Sequence, residues 1–343
     1  KKQDVDLGYV DVSGQKTAKE LLQEPKETEK QEQPKFEQKE ERSEDNDLER
    51  ILKVQLPTFR KFLNLNDLHK FYIITRSADI KIIKQALEKE YSDFPFEYID
   101  EHELIPQLKT FPLHQFTVHP GWIIQQLVKF EIAKQIETNH YFSFETDMFL
   151  TKPFSYEDMF NNGKIICSHL KEMGKPTSES WYMFAAALVC PGIEEFVVDP
   201  TCKNRIENNT LYINRIMAVS PQIFITDEIL GLIEHLETTH KTNYLDLLLR
   251  TTNGHPNTWT EYTLYWMWLF LQNKLDKYSF ETPYISSGEL WSSNYKKGFG
   301  EKYFGEFDTH VMKNTDHYFN VIQSNILDVK LDYIVDKLKP YIG

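Results

Sequence analysis

From Lys70 onward the chain alternates between short apolar runs and segments of helical spacing. Lys70–Ile74 (KFYII) is an apolar run, Thr75–Asp79 (TRSAD) is polar, and Ile80–Glu90 (IKIIKQALEKE) repeats apolar side chains every three to four residues. That order predicts strand, loop and helix. Phe96–Ile99 (FEYI) reads as a second strand. Trp122–Glu137 reads as an amphipathic helix whose apolar stripe is Ile123, Leu127, Phe130, Ala133 and Ile136. Tyr141–Phe144 predicts a strand that runs straight into Glu145-Thr146-Asp147, with Met148–Leu150 beyond it before a Lys-Pro break. Lys164–Ser168 and Met183–Val189 read as further strands, Ile229–Leu236 and Glu261–Gln272 as helices. Such alternation argues for an α/β fold, a mixed, mainly parallel sheet with helices on both faces. No internal repeat is present.

The first 50 residues differ in kind. Half of them are charged, and only Tyr9 and Phe36 among the aromatic residues of the chain lie there. A stretch like Lys26–Arg50 buries too little apolar surface to offset its ordering entropy, so residues 1–50 read as a charged, low-complexity stem or tail. Residues 51–343 then read as one folded domain, with a first half over about 68–170 and a second over about 171–325. The chain opens on Lys1 rather than Met. A charged stem of this kind would follow a membrane anchor upstream of Lys1 and place the domain in the lumen of the secretory pathway; as an ordinary tail it leaves the cytoplasm as the compartment.

Charge and cysteine content narrow the chemistry. The net charge of −13 argues against a nucleic-acid partner. Cys167, Cys190 and Cys202 are too few for a disulfide scaffold or a four-cysteine zinc site. Cys190 and Cys202 are near enough in sequence to be bridged in an oxidising compartment if geometry allows. His114, His119 and His140 have no zinc-site spacing. Asn208-Asn209-Thr210 is a glycosylation sequon, relevant only in a lumen. The longest apolar runs, Trp181–Cys190 and Leu264–Leu271, are half or less of the roughly 20 residues that a membrane span requires.

The most informative segment is Tyr141–Phe154 (YFSFETDMFLTKPF). Ligands of open α/β sheets sit outside the carboxyl ends of strands. Glu145 and Asp147, one residue apart at such an end, can both reach one hard divalent cation that keeps water and phosphate oxygens in its shell. The alternative is a solvated turn with two ordinary acids. Together with Gly121-Trp122, Gln125-Gln126 and Lys129, this segment resembles the nucleotide-sugar-dependent GT-A glycosyltransferases. It is most similar to a largely uncharacterised, mostly microbial family that reads GW-x-x-QQ-x-x-K and then a Y-L-x-L-D-x-D strand. Ala218–Phe224 (AVSPQIF), Trp259–Tyr265 (WTEYTLY) and His317–Ser324 (HYFNVIQS) resemble later segments in the same order, so the likeness runs from about Phe71 to Ser324. One position departs: Glu145 stands where the family has its first Asp, and its carboxylate reaches one methylene further.

The resemblance implies a GT-A-like (Rossmann-like) fold, a divalent metal (Mn²⁺ first, Mg²⁺ next) and a nucleoside-diphosphate sugar donor, a UDP-sugar first. It makes Asp147 a direct metal ligand and catalytic residue. Glu145 takes the first acid's place, at the metal or the donor. Lys129 would meet the donor diphosphate or sugar, with Gln125 and Gln126 one turn earlier. Gln125 is at i−4 to Lys129, on its helix face. Thr75, Arg76 and Asp79 would hold base and ribose. A third metal ligand is expected late in the chain, with His317 preferred to His310. Glu261, at a helix start behind Thr260, would be the acceptor-side base, or else a first-turn acid favoured by the helix dipole. Trp181 and Trp291 would stack on sugar rings or simply pack.

The function expected is transfer of a monosaccharide to a hydroxyl of a glycan or glycoconjugate. Two alternatives share the fold: a binding or scaffold protein that has lost catalysis, and a hydrolase of nucleotide sugars with water as acceptor. Deleting residues 1–45 is expected to leave the thermal midpoint nearly unchanged. A large drop in a melting experiment would show that the segment is packed.

Overall fold

A computed structural model of the protein describes residues 45–112, 120–167, 169–170, 176–218, 221–252, 259–279, 318–323 and 330–342. The chain enters through α1 (Asp45–Arg50), a π-helical turn over Ile51–Gln55, and α2 (Leu56–Phe62). Leu56 and Phe59 are buried, and so is Arg50. Folded structure therefore starts inside the segment expected to be a stem: its last residue faces inward because the helix it ends is continuous with an apolar one.

Next comes the strand–helix–strand unit anticipated from the pattern. β1 (Phe71–Thr75) is followed by α3 (Ser77–Glu90) and β2 (Phe96–Asp100), and the two strands pair in parallel with Phe71 opposite Phe96 and Thr75 opposite Asp100. A short α4 (Glu101–Leu104) leads toward α5 (Pro120–Glu131). α5 is shorter than its apolar stripe predicts, because a 3-10 turn over Ile132–Lys134 tightens its end. β3 (His140–Ser143) and β4 (Met148–Leu150) flank the acidic turn. β5 (Phe160–Asn161), β6 (Lys164–Ile166) and β7 (His169–Leu170) precede α6 (Pro176–Val189).

Met183–Val189 is thus helix, not strand. Ala185, Ala186 and Ala187 are strong helix formers, and the segment is buried on every side, so no polar face betrays its period. A small sheet follows: β8 (Glu195–Val198), β9 (Arg205–Glu207) and β10 (Thr210–Ile213), with β11 (Ile216–Met217) pairing back to β7. β12 (Gln222–Ile225) lies antiparallel to β3. The remaining elements are α7 (Thr226–His240), α8 (Tyr244–Thr252), α9 (Glu261–Leu271), β13 (Tyr278–Ser279), β14 (Phe319–Val321) and α10 (Leu331–Ile342). β13 runs parallel to β6, and β14 antiparallel to β4.

The architecture is a mixed α/β one, as expected. Its parallel share is smaller than the pattern suggests, because β12 and β14 return from far along the chain in the opposite sense. Phe144 meets Phe59 and Phe71 edge to face, as Phe319 meets Phe59, while Phe59 is tilted against Phe71, all at centroid distances of 5.2–6.2 Å. The same core continues around α9, where Trp266 and Tyr265 are fully buried. No helix among the described residues is long and apolar enough to cross a membrane.

α7 meets α9 at Gly231, where an added Cβ would stand 3.0 Å from the Trp268 ring. Gly231→Leu is expected to destabilise the fold by about 1–3 kcal/mol through overpacking, measured as a lower urea midpoint. An unchanged midpoint would show that the indole can move aside freely.

Candidate active site

The acidic turn is built by its neighbours. β3 ends at Ser143, Phe144 plugs into the aromatic core, and Met148 N–H donates to the Glu145 carbonyl at 3.2 Å to close the turn. Gln55, 2% exposed, donates its amide to two carbonyls of that turn, Glu145 at 2.8 Å and Met148 at 3.2 Å. On the other side, Ile322 N–H donates to the Asp147 carbonyl at 3.2 Å, extending the β4–β14 ladder. The turn's backbone is therefore held by two segments far from it in the chain, at Gln55 and at Ile322.

A buried cation faces them. Lys129 lies in the last turn of α5, and its Nζ donates to Glu145 Oε1 at 3.0 Å, Glu261 Oε1 at 2.6 Å and the Tyr262 hydroxyl at 3.1 Å. The Tyr141 hydroxyl donates to the Lys129 carbonyl at 2.7 Å, which ties this helix turn to β3. Glu261 is the first residue of α9. Thr260 caps that helix: the Thr263 N–H donates to Thr260 Oγ1 at 3.2 Å, and the Thr260 N–H to Thr263 Oγ1 at 2.9 Å. The cap sets the angle at which Glu261 enters the site.

Burial works against both charges. For Lys129 it alone would lower the pKa, but Glu261, Tyr262 and Glu145 together outweigh it and hold the ammonium well above the usual lysine range. Burial pushes the Glu261 carboxyl up, and Lys129 opposes that rise. Asp147 has its own basic neighbour: Arg50 Nη1 lies 3.5 Å from Asp147 Oδ1 and donates to the Ile322 carbonyl at 2.9 Å.

The structure thus brings Glu145, Lys129, Glu261 and Tyr262 into one cluster, with Asp147 on the same turn as Glu145. Thr75, Arg76 and Asp79 stand at the carboxyl end of β1, where Arg76 Nε donates to Asp79 Oδ2 at 3.0 Å. Ser77 donates to Asp100, chiefly by which the Asp100 pKa is lowered, while burial raises that of Glu101. Of the two glutamines, Gln126 is the buried one, and its amide donates to the Trp122 carbonyl within its own helix at 3.0 Å. Gln125 is half-buried. Trp181 packs against Trp122 at 6.0 Å. Cys167, Cys190 and Cys202 are all free thiols, so Cys190 and Cys202 are not bridged. Asn208 is exposed, at the turn between β9 and β10.

His310, His317 and Trp291 lie outside the described residues. The β4–β14 register brings Ile322 to Asp147, whereas the Tyr318 carbonyl accepts from Thr151 N–H, at the other end of β4. Among the described residues no group of three or more His, Cys, Asp or Glu side chains is placed to hold a metal ion. The turn offers two carboxylates, Glu145 beside Lys129 and Asp147 beside Arg50. That suits a hard divalent cation whose other positions go to water and phosphate oxygens. Arg50 and Gln55 were not singled out from the sequence. They belong to the edge of a charged segment, and their contacts lie 90 residues or more away along the chain.

Lys129→Met is expected to cost about 3–5 kcal/mol, because it strands the Glu261 carboxylate in the interior. The double variant with Glu261→Gln should recover much of that loss in denaturant unfolding. Strict additivity of the two would mean that they do not interact.

A model for a family of unknown function, DUF6492, matches residues 36–343. No curated protein matches the chain. Among solved structures, mouse xyloside xylosyltransferase 1 in its apo form is similar with a TM-score of 0.39 and 12% sequence identity, over 81% of this chain and 93% of that chain. That likeness is too distant to inform the fold or the chemistry.

Proposed function

The chain belongs to the family of unknown function DUF6492, and we propose that it is a metal-dependent glycosyltransferase. Its donor is a nucleoside-diphosphate sugar, a UDP-sugar first, and its acceptor a hydroxyl of a glycan or glycoconjugate. The observation that carries this reading is the Glu145-Thr146-Asp147 turn, fixed between two strands with Lys129 bridging Glu145 and Glu261. The family resemblance of the motifs around it supports the same chemistry.

In this reading Glu145 and Asp147 hold a divalent cation, Mn²⁺ or Mg²⁺, which supplies charge neutralisation for the diphosphate leaving group. Lys129 is a fixed positive charge beside it, kept protonated by its carboxylate partners. Thr75, Arg76 and Asp79 line the carboxyl end of β1, where a base and ribose bind in folds of this class. Glu261, 3% exposed and 2.6 Å from the Lys129 ammonium, holds that ammonium against Glu145. Service as the acceptor base would require this ion pair to open.

Asp147→Asn should lower turnover by at least about 100-fold and weaken metal-dependent donor binding, with the circular dichroism spectrum unchanged. Normal turnover would remove Asp147 from the site. Glu261→Gln should weaken donor binding and transfer together if it supports Lys129. A loss in kcat alone would make Glu261 the acceptor base. Turnover that needs no added glycan, with free sugar as product, would favour a nucleotide-sugar hydrolase.

A further inference from the structure

Asp147 lies beside a basic residue that comes from outside the sheet. Arg50 is the last residue of α1, 7% exposed, and its Nη1 stands 3.5 Å from Asp147 Oδ1. The same nitrogen donates to the Ile322 carbonyl at 2.9 Å, and Ile322 N–H donates to the Asp147 carbonyl. The guanidinium is therefore held in place by a neutral acceptor as well as by the acid. Gln55, just over one helical turn along, anchors the same segment to the Glu145 and Met148 carbonyls. The helical entry segment is thus a rigid backing for the turn, with one positive charge aimed at the more buried of its two acids.

Two cations near one carboxylate repel each other, and screening is weak where water is scarce. We propose that Arg50 is a resident countercharge of Asp147 that sets the affinity of the site for a divalent cation, acting as a positioning residue and not as a ligand. The inference rests on the cation site proposed above. In the absence of the cation the Arg50 charge lies beside Asp147 and offsets part of the cost of burying that carboxylate. With a divalent cation bound at Asp147, the guanidinium keeps its bond to the Ile322 carbonyl and opposes the second positive charge. Binding is thereby weakened until diphosphate oxygens join the shell and share the charge. Cation and nucleotide would then bind together more tightly than either alone.

The test is Mn²⁺ binding to the full chain, read as loss of the free-ion electron paramagnetic resonance signal, with and without UDP. Arg50→Gln should bind Mn²⁺ alone about ten-fold more tightly than wild type and show a smaller gain on adding UDP. Arg50→Lys, which keeps the charge, should stay close to wild type. Arg50→Met preserves the aliphatic stem and gives the same reading if the Gln variant does not fold. Equal or weaker Mn²⁺ binding by folded neutral variants would overturn the proposal, as would equal tightening in the Lys variant. Asp147→Asn separates this from the reading beneath it. Loss of binding there with no effect of Arg50 removes Arg50 alone, whereas wild-type binding by Asp147→Asn removes the cation site itself.

Discussion

One buried ammonium organises the candidate site. Lys129 sits where α5, the acidic turn and the first residue of α9 converge, and it is the charge that each of the others is arranged around. A lysine in that position is stable only with carboxylates against it, and a carboxylate as buried as Glu261 is stable only with a cation. Each element therefore constrains the next. The Thr260 cap fixes where Glu261 starts its helix, the Tyr141 hydroxyl fixes the turn of α5 that carries Lys129, and the β3 strand fixes Glu145. Displacing Lys129 would leave the buried Glu261 carboxylate without the cation that sits 2.6 Å from it.

Two segments distant along the chain complete the arrangement. The segment from α1 to α2 grips the acidic turn through Arg50 and Gln55, and β14 lies along β4. Neither element belongs to the strand–helix–strand unit that opens the domain. The turn is exposed enough at Glu145, whose side chain is 26% accessible, to meet a ligand, while Asp147 at 10% is held more deeply. An anion such as a diphosphate, arriving with a divalent cation, would find two carboxylates for the cation and a fixed ammonium beside them.

Much of this was legible in the sequence. β1, α3 and β2 follow from Lys70–Ile99 because strand and helix periods differ there without ambiguity. The acid pair announced itself by its place at a strand end, and Lys129 only through the resemblance of GW-x-x-QQ-x-x-K, since an amphipathic helix alone would have left it on a solvated face. Glu261 was visible as a charge opening an otherwise aromatic helix, but its partner was not, since nothing local links position 129 to position 261. Met183–Val189 misled because a helix buried all round has no polar face to reveal its period. Arg50 was hidden differently. It closes a segment so rich in charge that one arginine turning inward leaves no trace in composition, and its partners lie at Asp147 and Ile322. The return of β12 and β14 as antiparallel neighbours of β3 and β4 was also beyond local patterning, since register over such separations is set by packing.

On the proposed function, this site binds a nucleoside diphosphate together with a divalent cation. The most direct measurement is the thermal midpoint of the full chain with nucleoside diphosphates and nucleotide sugars, each with manganese and with chelator. Selective binding to the native state at a hundred-fold excess over Kd is worth about 2.7 kcal/mol, enough to raise the midpoint by several degrees. A manganese-dependent rise is expected for one nucleotide class, largest for uridine, and chelator should abolish it. No rise with any nucleotide in a folded protein, or the same rise in chelator, would contradict it.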